Sequence, residues 1–82
     1  MENTVGGRVK WLRTTKGISQ KGMANILGID KANYGRYEKN IFAFKHEMLV
    51  TLAKYFDVTT DFILGLEDYA GNKINISIDN TQ

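Results

Sequence analysis

The segment 31–36 concentrates side chains that can recognise the edges of nucleic-acid bases. Lysine and arginine donate to O6 and N7 of guanine, asparagine can pair with adenine through two hydrogen bonds, and a small apolar side chain can touch the methyl group of thymine. These contacts require one rigid element that presents the side chains together on an exposed face. The candidates for base contact are Lys31, Ala32, Asn33 and Arg36.

The pattern around these residues predicts a helix over 31–39 with such a face. Asp30 can cap it, because its carboxylate accepts from the unpaired N–H groups of a first helical turn. Tyr34 and Tyr37 are three residues apart, which is the spacing of a buried stripe. Aromatic residues at this spacing are more often packed in a core than stacked on bases. The four candidate residues lie outside that stripe and are expected to face solvent.

A second short helix is predicted just before it, over 19–27. Ser19 can cap its first turn, and Gly28 can end it in the left-handed conformation that glycine adopts without strain. Leu27 and Ile29 flank this glycine and are expected to point inward. Two capped helices joined by a tight turn form a helix-turn-helix, in which the second helix can enter a DNA major groove.

Several polar residues around this motif could contact the DNA backbone. A helix N-terminus with unpaired N–H groups attracts phosphate, and lysine side chains add positive charge. Each residue alone could equally be an ordinary solvated side chain, but together they favour DNA. The candidates for backbone contact are Ser19, Gln20, Lys21, Lys10, Lys39, Asn40 and Lys45.

The charge distribution is more informative than the net charge of +2. Residues 1–45 carry nine Lys and Arg against three Asp and Glu, a balance of +6, whereas residues 46–82 carry two against six, a balance of −4. A basic front attached to an acidic back suits a DNA-binding face, because attraction to phosphate supplies much of the affinity. Solvated helix faces that carry charge for no further reason are the alternative explanation.

Composition argues against an enzyme and against a metal or cofactor site. The chain has no cysteine, a single histidine at His46, and no paired carboxylates spaced for acid–base work or metal binding. No small-molecule ligand is evident. We expect no membrane segment, since no apolar run approaches about 20 residues, and no signal peptide, since residues 1–5 lack its basic and apolar regions. A soluble cytoplasmic protein is therefore expected.

The whole pattern predicts an all-α fold of five helices, over about 6–15, 19–27, 31–39, 45–55 and 60–64. Arg8 lies outside the apolar stripe of the first helix and is expected in solvent. Residues 1–66 would form one helix-turn-helix domain, and residues 67–82 a C-terminal tail. In that tail Ile74, Ile76 and Ile78 alternate with polar residues, which favours a β-strand. Pairing with a second copy, folding back on the bundle and the absence of fixed structure remain three alternatives.

The stretch 8–65, about 58 of 82 residues, resembles the lambda-repressor-like, Cro/XRE-type helix-turn-helix domain. It departs from that pattern at Gly22, where glutamate often completes a capping box, and a glycine there costs about 1 kcal/mol relative to alanine. The residues that carry the resemblance are Arg13, 17–20, Met23 and Ala24, 27–29, Tyr37 and Glu38, Leu52 and Ala53, and 58–65.

The resemblance implies roles for particular residues. Lys31, Ala32 and Arg36 fall on the family's usual base-contacting positions, and Gln20 on a glutamine that contacts phosphate and supports a base-contacting side chain. Arg13 and Glu38 would form a partly buried ion pair that orients the recognition helix.

The resemblance also implies a transcriptional regulator, expected to be a repressor, that binds a pseudo-palindromic operator as a homodimer. The dimer surface would combine Val58, Phe62 and Leu66 with the isoleucines of the tail. The alternative function is a protein-interaction module, such as an antitoxin that retains the bundle. A steep salt dependence of the affinity for duplex DNA would distinguish the two functions.

Overall fold

The computed structural model describes residues 2–74, and these residues form five α-helices. The all-α fold is confirmed, and the helix ends predicted from the sequence differ from the observed ones by one residue at most. At Ser19, Lys39 and Lys45 a capping residue was counted as helical, whereas the helical residues Val5 and Phe56 were left out of the predicted ranges. The helices are α1 Val5–Thr15, α2 Gln20–Leu27, α3 Lys31–Glu38, α4 His46–Phe56 and α5 Thr60–Leu64.

Local hydrogen bonds define where the helices begin and end. Four N-caps, at Thr4, Ser19, Asp30 and Thr59, accept a backbone N–H of the first turn at 2.9–3.0 Å. Gly28 ends α2 with a φ of +69°, a conformation that favours glycine over residues with a Cβ. The turn between α2 and α3 is therefore specified locally by a left-handed glycine followed by a capping aspartate.

One buried cluster holds the five helices together. Tyr34 of α3 is fully buried in it, whereas Tyr37 is only half-buried and packs against the loop that follows α3. The exposed face of α3 is consequently supported by the core from behind. The cluster consists of Val9, Leu12, Met23, Ala24, Tyr34, Leu52, Phe56, Phe62 and Ile63.

The start of α1 lies directly against the end of α3. A Cβ on Gly6 would be 2.4 Å from the carbonyl oxygen of Glu38, so only glycine fits at this point of contact. Asn40, with a φ of +64°, reaches back across the same junction. Its Oδ1 accepts from the N–H of Gly6 at 2.9 Å, and its Nδ2 donates to Thr4 Oγ1 at 2.9 Å. The two helices are thereby fixed to each other by packing and by hydrogen bonds.

Arg8 is buried, contrary to the expectation from the apolar stripe of α1. Its side chain is only 8% exposed, because Nε donates to the carbonyl oxygen of Ile63 at 2.8 Å and Nη1 donates to Asn3 Oδ1 at 2.9 Å. Burial lowers the pKa of the guanidinium. Arg8 therefore supplies donors to a carbonyl near the end of α5, where helical carbonyls lack partners.

Residues 67–74 fold back on their own bundle. An antiparallel bridge joins Glu67 to Lys73, and the N–H of Ile74 donates to the carbonyl oxygen of Leu66 at 3.0 Å. The ring of Tyr69 packs edge-on against Trp11, with 5.2 Å between the ring centroids. Up to residue 74 the tail is thus folded back on its own bundle, which is one of the three predicted alternatives. The remainder of the predicted strand, including Ile76 and Ile78, lies outside the described residues.

Candidate nucleic-acid interface

The exposed face of α3 carries the four residues expected to contact bases. Lys31, Ala32 and Arg36 are exposed, and Asn33 is half-buried between them. The Asn33 Oδ1 accepts from Arg36 Nη1 at 2.7 Å, so these two side chains act together in the free protein. Since Tyr34 packs on the opposite side of the helix, this face is open to a large ligand.

The ring of Phe42 is a part of this face that sequence reasoning missed. The Arg36 guanidinium carbon lies 5.6 Å from the centroid of the ring, within the range of a cation–π contact. Asn40 bends the chain back just before this residue. The available signal was an aromatic residue placed shortly after a residue type that tolerates the left-handed conformation.

The N-terminus of α2 lies beside α3 and joins the two helices. Ser19 and Lys21 are exposed, and the Ser19 hydroxyl accepts from the N–H of Gly22. Gln20 is also exposed, but its Nε2 donates to Glu38 Oε1 at 3.1 Å. The amide of Gln20 is therefore connected to the charged pair beneath α3.

Arg13 and Glu38 form a buried ion pair with two hydrogen bonds. Arg13 Nε lies 2.6 Å from Glu38 Oε2, and Nη2 lies 3.1 Å from Oε1. The third guanidinium nitrogen, Nη1, donates to the carbonyl oxygen of Ile18 at 2.8 Å. Glu38 is only 5% exposed, so this contact is far less screened than a surface pair.

Hydrogen bonds keep this carboxylate charged despite its burial. Burial alone would raise the pKa of Glu38, but donation from Arg13, from the Tyr34 hydroxyl at 2.5 Å and from Gln20 outweighs it and lowers the pKa. Burial and the bond to Glu38 together raise the pKa of Tyr34. A single carboxylate thus accepts from α1, α2 and α3.

The remaining candidates for phosphate contact do not all lie together. Lys10, Gln20, Lys39 and Asn40 line an open groove of about 390 Å³, while Lys21 and Lys45 are exposed outside its lining. The side-chain amide of Asn40 is already bonded to Gly6 and Thr4, as described above. These two hydrogen bonds give Asn40 a structural role at the junction of α1 and α3, and its contact with phosphate stays a prediction.

The residues proposed for a dimer surface differ in accessibility. Phe62 is 3% exposed and packs against Trp11 and Tyr69, so it belongs to the core and not to the exposed surface that was predicted for a dimer. Phe62 and Ile63 are the buried residues of α5, so this side of the short helix faces the bundle. Val58 is half-buried, whereas Leu66 and Ile74 are exposed next to each other.

Metal sites and membrane-spanning helices are absent from the part of the chain that the structure describes. Within residues 2–74, no group of His, Asp and Glu side chains is arranged to hold a metal ion. The same part of the chain contains no helix that is long and apolar enough to cross a bilayer. His46, at the start of α4, is exposed.

Comparison with known proteins places this geometry in a family. The helix-turn-helix family model HTH_3 matches residues 9–63, which is more than half of the chain. The chain is 42% identical over 59 residues to the SPbeta prophage-derived uncharacterized HTH-type transcriptional regulator YonR of Bacillus subtilis (strain 168), covering 72% of this chain and 55% of that protein. It spans between 52% and 60% of the length of the curated relatives that it matches.

Two solved structures show the same fold. The P22 c2 repressor, in complex with synthetic operator 9T, superposes with a TM-score of 0.70 at 22% identity, covering 78% of this chain and 98% of that one. The restriction-modification controller protein C.AhdI from Aeromonas hydrophila gives a TM-score of 0.64 at 28% identity, covering 73% and 91%. From the family match, and from the two capped helices and left-handed turn described above, we conclude that this chain belongs to the helix-turn-helix family.

Proposed function

We propose that this chain binds double-stranded DNA sequence-specifically through α3 and regulates transcription, acting as a repressor. The observation that carries the proposal is the exposed face of α3, where Lys31 and Arg36 stand free of the core beside the N-terminus of α2. A helix with donors on its outer face, supported on the inside by a buried tyrosine, is suited to the major groove.

The names of similar proteins support DNA binding and transcriptional regulation. YonR is called an HTH-type transcriptional regulator, and the P22 c2 repressor is bound to an operator in its structure. The three curated relatives are all named as HTH-type transcriptional regulators. The basic balance of residues 1–45 adds the long-range attraction that duplex DNA requires.

A homodimer on a pseudo-palindromic operator is the form we propose for the bound state. One recognition helix makes too few base contacts to discriminate among genomic sites, whereas two helices about 34 Å apart contact successive major grooves. Leu66 and Ile74 offer a small exposed apolar surface, since a backbone hydrogen bond holds the two residues side by side. We place the two-fold contact there.

Selection of duplex DNA from a random library, followed by salt titration, tests the function. We expect an enriched sequence whose affinity falls steeply with salt, by about 0.9 log units per log unit of salt for each phosphate contacted. Lys54→Ala is the control for the loss of one positive charge outside the proposed interface, because Lys54 is exposed on α4 in the acidic half of the chain. No enrichment, together with an affinity for duplex DNA that does not depend on salt, would favour the protein-interaction module instead.

Sedimentation of the full chain and of a chain cut after Gly71 tests the dimer. The cut removes Lys73 and Ile74, and with them the bridge to Glu67, but it leaves the five helices intact. We expect weaker dimerisation and weaker operator binding with an unchanged helical content by circular dichroism. Equal dimerisation of both chains at the same concentrations would exclude the tail from the interface.

A further inference from the structure

The guanidinium of Arg36 is held on two sides before any DNA is present. Asn33 Oδ1 accepts from Nη1 at 2.7 Å, and the ring of Phe42 lies under the guanidinium at 5.6 Å from its carbon to the centroid. We propose that Phe42 and Asn33 are positioning residues that fix the plane of Arg36 for a guanine, and so determine specificity at one base pair. This inference rests on the proposed function and identifies the base that the site prefers.

The loop that carries Phe42 is anchored to Arg36 itself. The N–H of Ile41 donates to the Arg36 carbonyl oxygen at 2.9 Å, and the N–H of Phe42 donates to the same oxygen at 3.2 Å. The left-handed conformation of Asn40 makes this reversal possible. These two hydrogen bonds fix the backbone of Phe42 relative to the backbone of Arg36.

Aromatic packing holds the Phe42 ring in place from the other side. Tyr37 contacts Phe42 edge-on, with ring centroids 5.4 Å apart at 76°, and contacts Phe44 at 5.1 Å. Phe44 in turn packs against the buried cluster. Phe42 itself remains 38% exposed, beside the exposed Arg36. A row of three rings thus runs from the core to Arg36.

The hydrogen-bond pattern selects the base. Asn33 occupies one N–H of Nη1, and no other residue within 2–74 accepts from the Arg36 side chain. The edge formed by Nε and Nη2 is left free, and it presents two parallel donors that match O6 and N7 of guanine. Asn33 Oδ1 already accepts from Arg36, so its amide group is oriented towards this neighbour on α3. In this proposal Asn33 therefore acts by supporting Arg36.

The test compares variants of the full chain on the enriched duplex and on the same duplex with the candidate guanine replaced by adenine. Phe42→Leu keeps apolar volume but removes the ring face, and we expect the guanine preference to fall by about 2- to 5-fold. Phe42→Tyr retains the face and should retain the preference. Ile41→Ala is the matched control, because Ile41 lies in the same loop, is 64% exposed and has no aromatic ring to offer the guanidinium. None of these changes should alter the salt slope.

A measurement on the free protein separates positioning from general stability. In the NMR spectrum, the ring current of Phe42 should shift the Arg36 side-chain protons in the wild type and in Phe42→Tyr, but not in Phe42→Leu. Thermal midpoints of the three chains report whether folding is preserved. An unchanged guanine preference in Phe42→Leu, or Arg36 protons at ordinary shifts in the wild type, would overturn this inference alone. A wild-type chain that enriches no sequence would overturn the proposed function as well.

Discussion

Breaking the Arg13–Glu38 pair is expected to cost a large part of the stability of the domain. Glu38→Ala removes the acceptor for two Arg13 nitrogens, for the Tyr34 hydroxyl and for the Gln20 amide, and it leaves Arg13 buried without its counter-charge. Removal of one partner of a buried pair costs about 3–5 kcal/mol. An 82-residue chain has a free energy of unfolding of only about 4–12 kcal/mol.

Urea denaturation of the two single variants and the double variant measures this coupling. Arg13→Ala should also destabilise the protein, and the double variant should lose about 1–3 kcal/mol less than the sum of the single losses, since its second substitution removes a group that has already lost its partner. Glu38→Gln keeps an acceptor for Tyr34 and provides a milder variant where Glu38→Ala does not fold. The matched control is the exposed pair of Asp61 and Lys73, 3.1 Å apart, whose cycle should show coupling within experimental error.

Two results would refute this reasoning. Strict additivity of Arg13→Ala and Glu38→Ala would mean that the two side chains do not interact in solution. A coupling no larger than that of Asp61 and Lys73 would mean that burial does not strengthen the contact. Because both pairs belong to the same chain, differences in temperature, ionic strength and the urea calibration cancel between the two cycles.

Three further predictions concern acid stability, DNA contact and helix packing. Because the pKa of Glu38 is lowered in the folded state, the carboxylate contributes its full stabilisation above the ordinary pKa of about 4.3 and loses it as the pH falls through the folded value. The difference in free energy of unfolding between wild type and Glu38→Gln should therefore narrow in urea melts below about pH 4. Arg36→Ala should cost about 1–3 kcal/mol of binding free energy on the enriched duplex and relax the preference at one base pair, whereas Lys39→Ala should weaken binding to all sequences alike and lower the salt slope by about one. Equal losses of affinity on enriched and random duplexes for Arg36→Ala would contradict base contact. Gly6→Ala should destabilise the protein, because the new Cβ would lie 2.4 Å from the carbonyl oxygen of Glu38. Gly35→Ala is the control: its Cβ would lie 3.6 Å from its nearest neighbour, so it should raise the free energy of unfolding by about 1 kcal/mol in thermal or urea melts. A stabilised Gly6→Ala would show that α1 and α3 separate easily.

The parts of the fold that could be predicted from the sequence are those determined by neighbours in the chain. The Asp30 cap, the left-handed Gly28 and the burial of Tyr34 depend on residues within one or two turns, and these signals define α2, the turn and α3. The pairing of Arg13 with Glu38 was different. Their separation of 25 residues carries no local pattern, so the expectation came from the family resemblance alone.

The features that the sequence did not predict depend on a partner on a distant element, on the shortness of α5 or on the turn at Asn40. Arg8 bonds to a carbonyl 55 residues away, and Asn40 bonds to an N–H 34 residues away, so neither burial nor engagement is visible in the surrounding sequence. Phe62 was expected on a dimer surface from the family resemblance, and α5 is too short for its periodicity to separate an inward face from an outward one. Phe42 was missed because its contact depends on the turn at Asn40.

Three contacts of different physical kinds join α1 to the last residues of α3. Gly6 supplies close packing, Asn40 supplies neutral hydrogen bonds, and Arg13 supplies charge, and all three act on residues 38–40. Arg36 precedes this junction by only two residues, and the loop with Phe42 follows it. The direction in which Arg36 points is therefore set by how α1 meets the end of α3. A substitution at Gly6, on the α1 side of this junction, should consequently change the affinity for the enriched duplex as well as the free energy of unfolding.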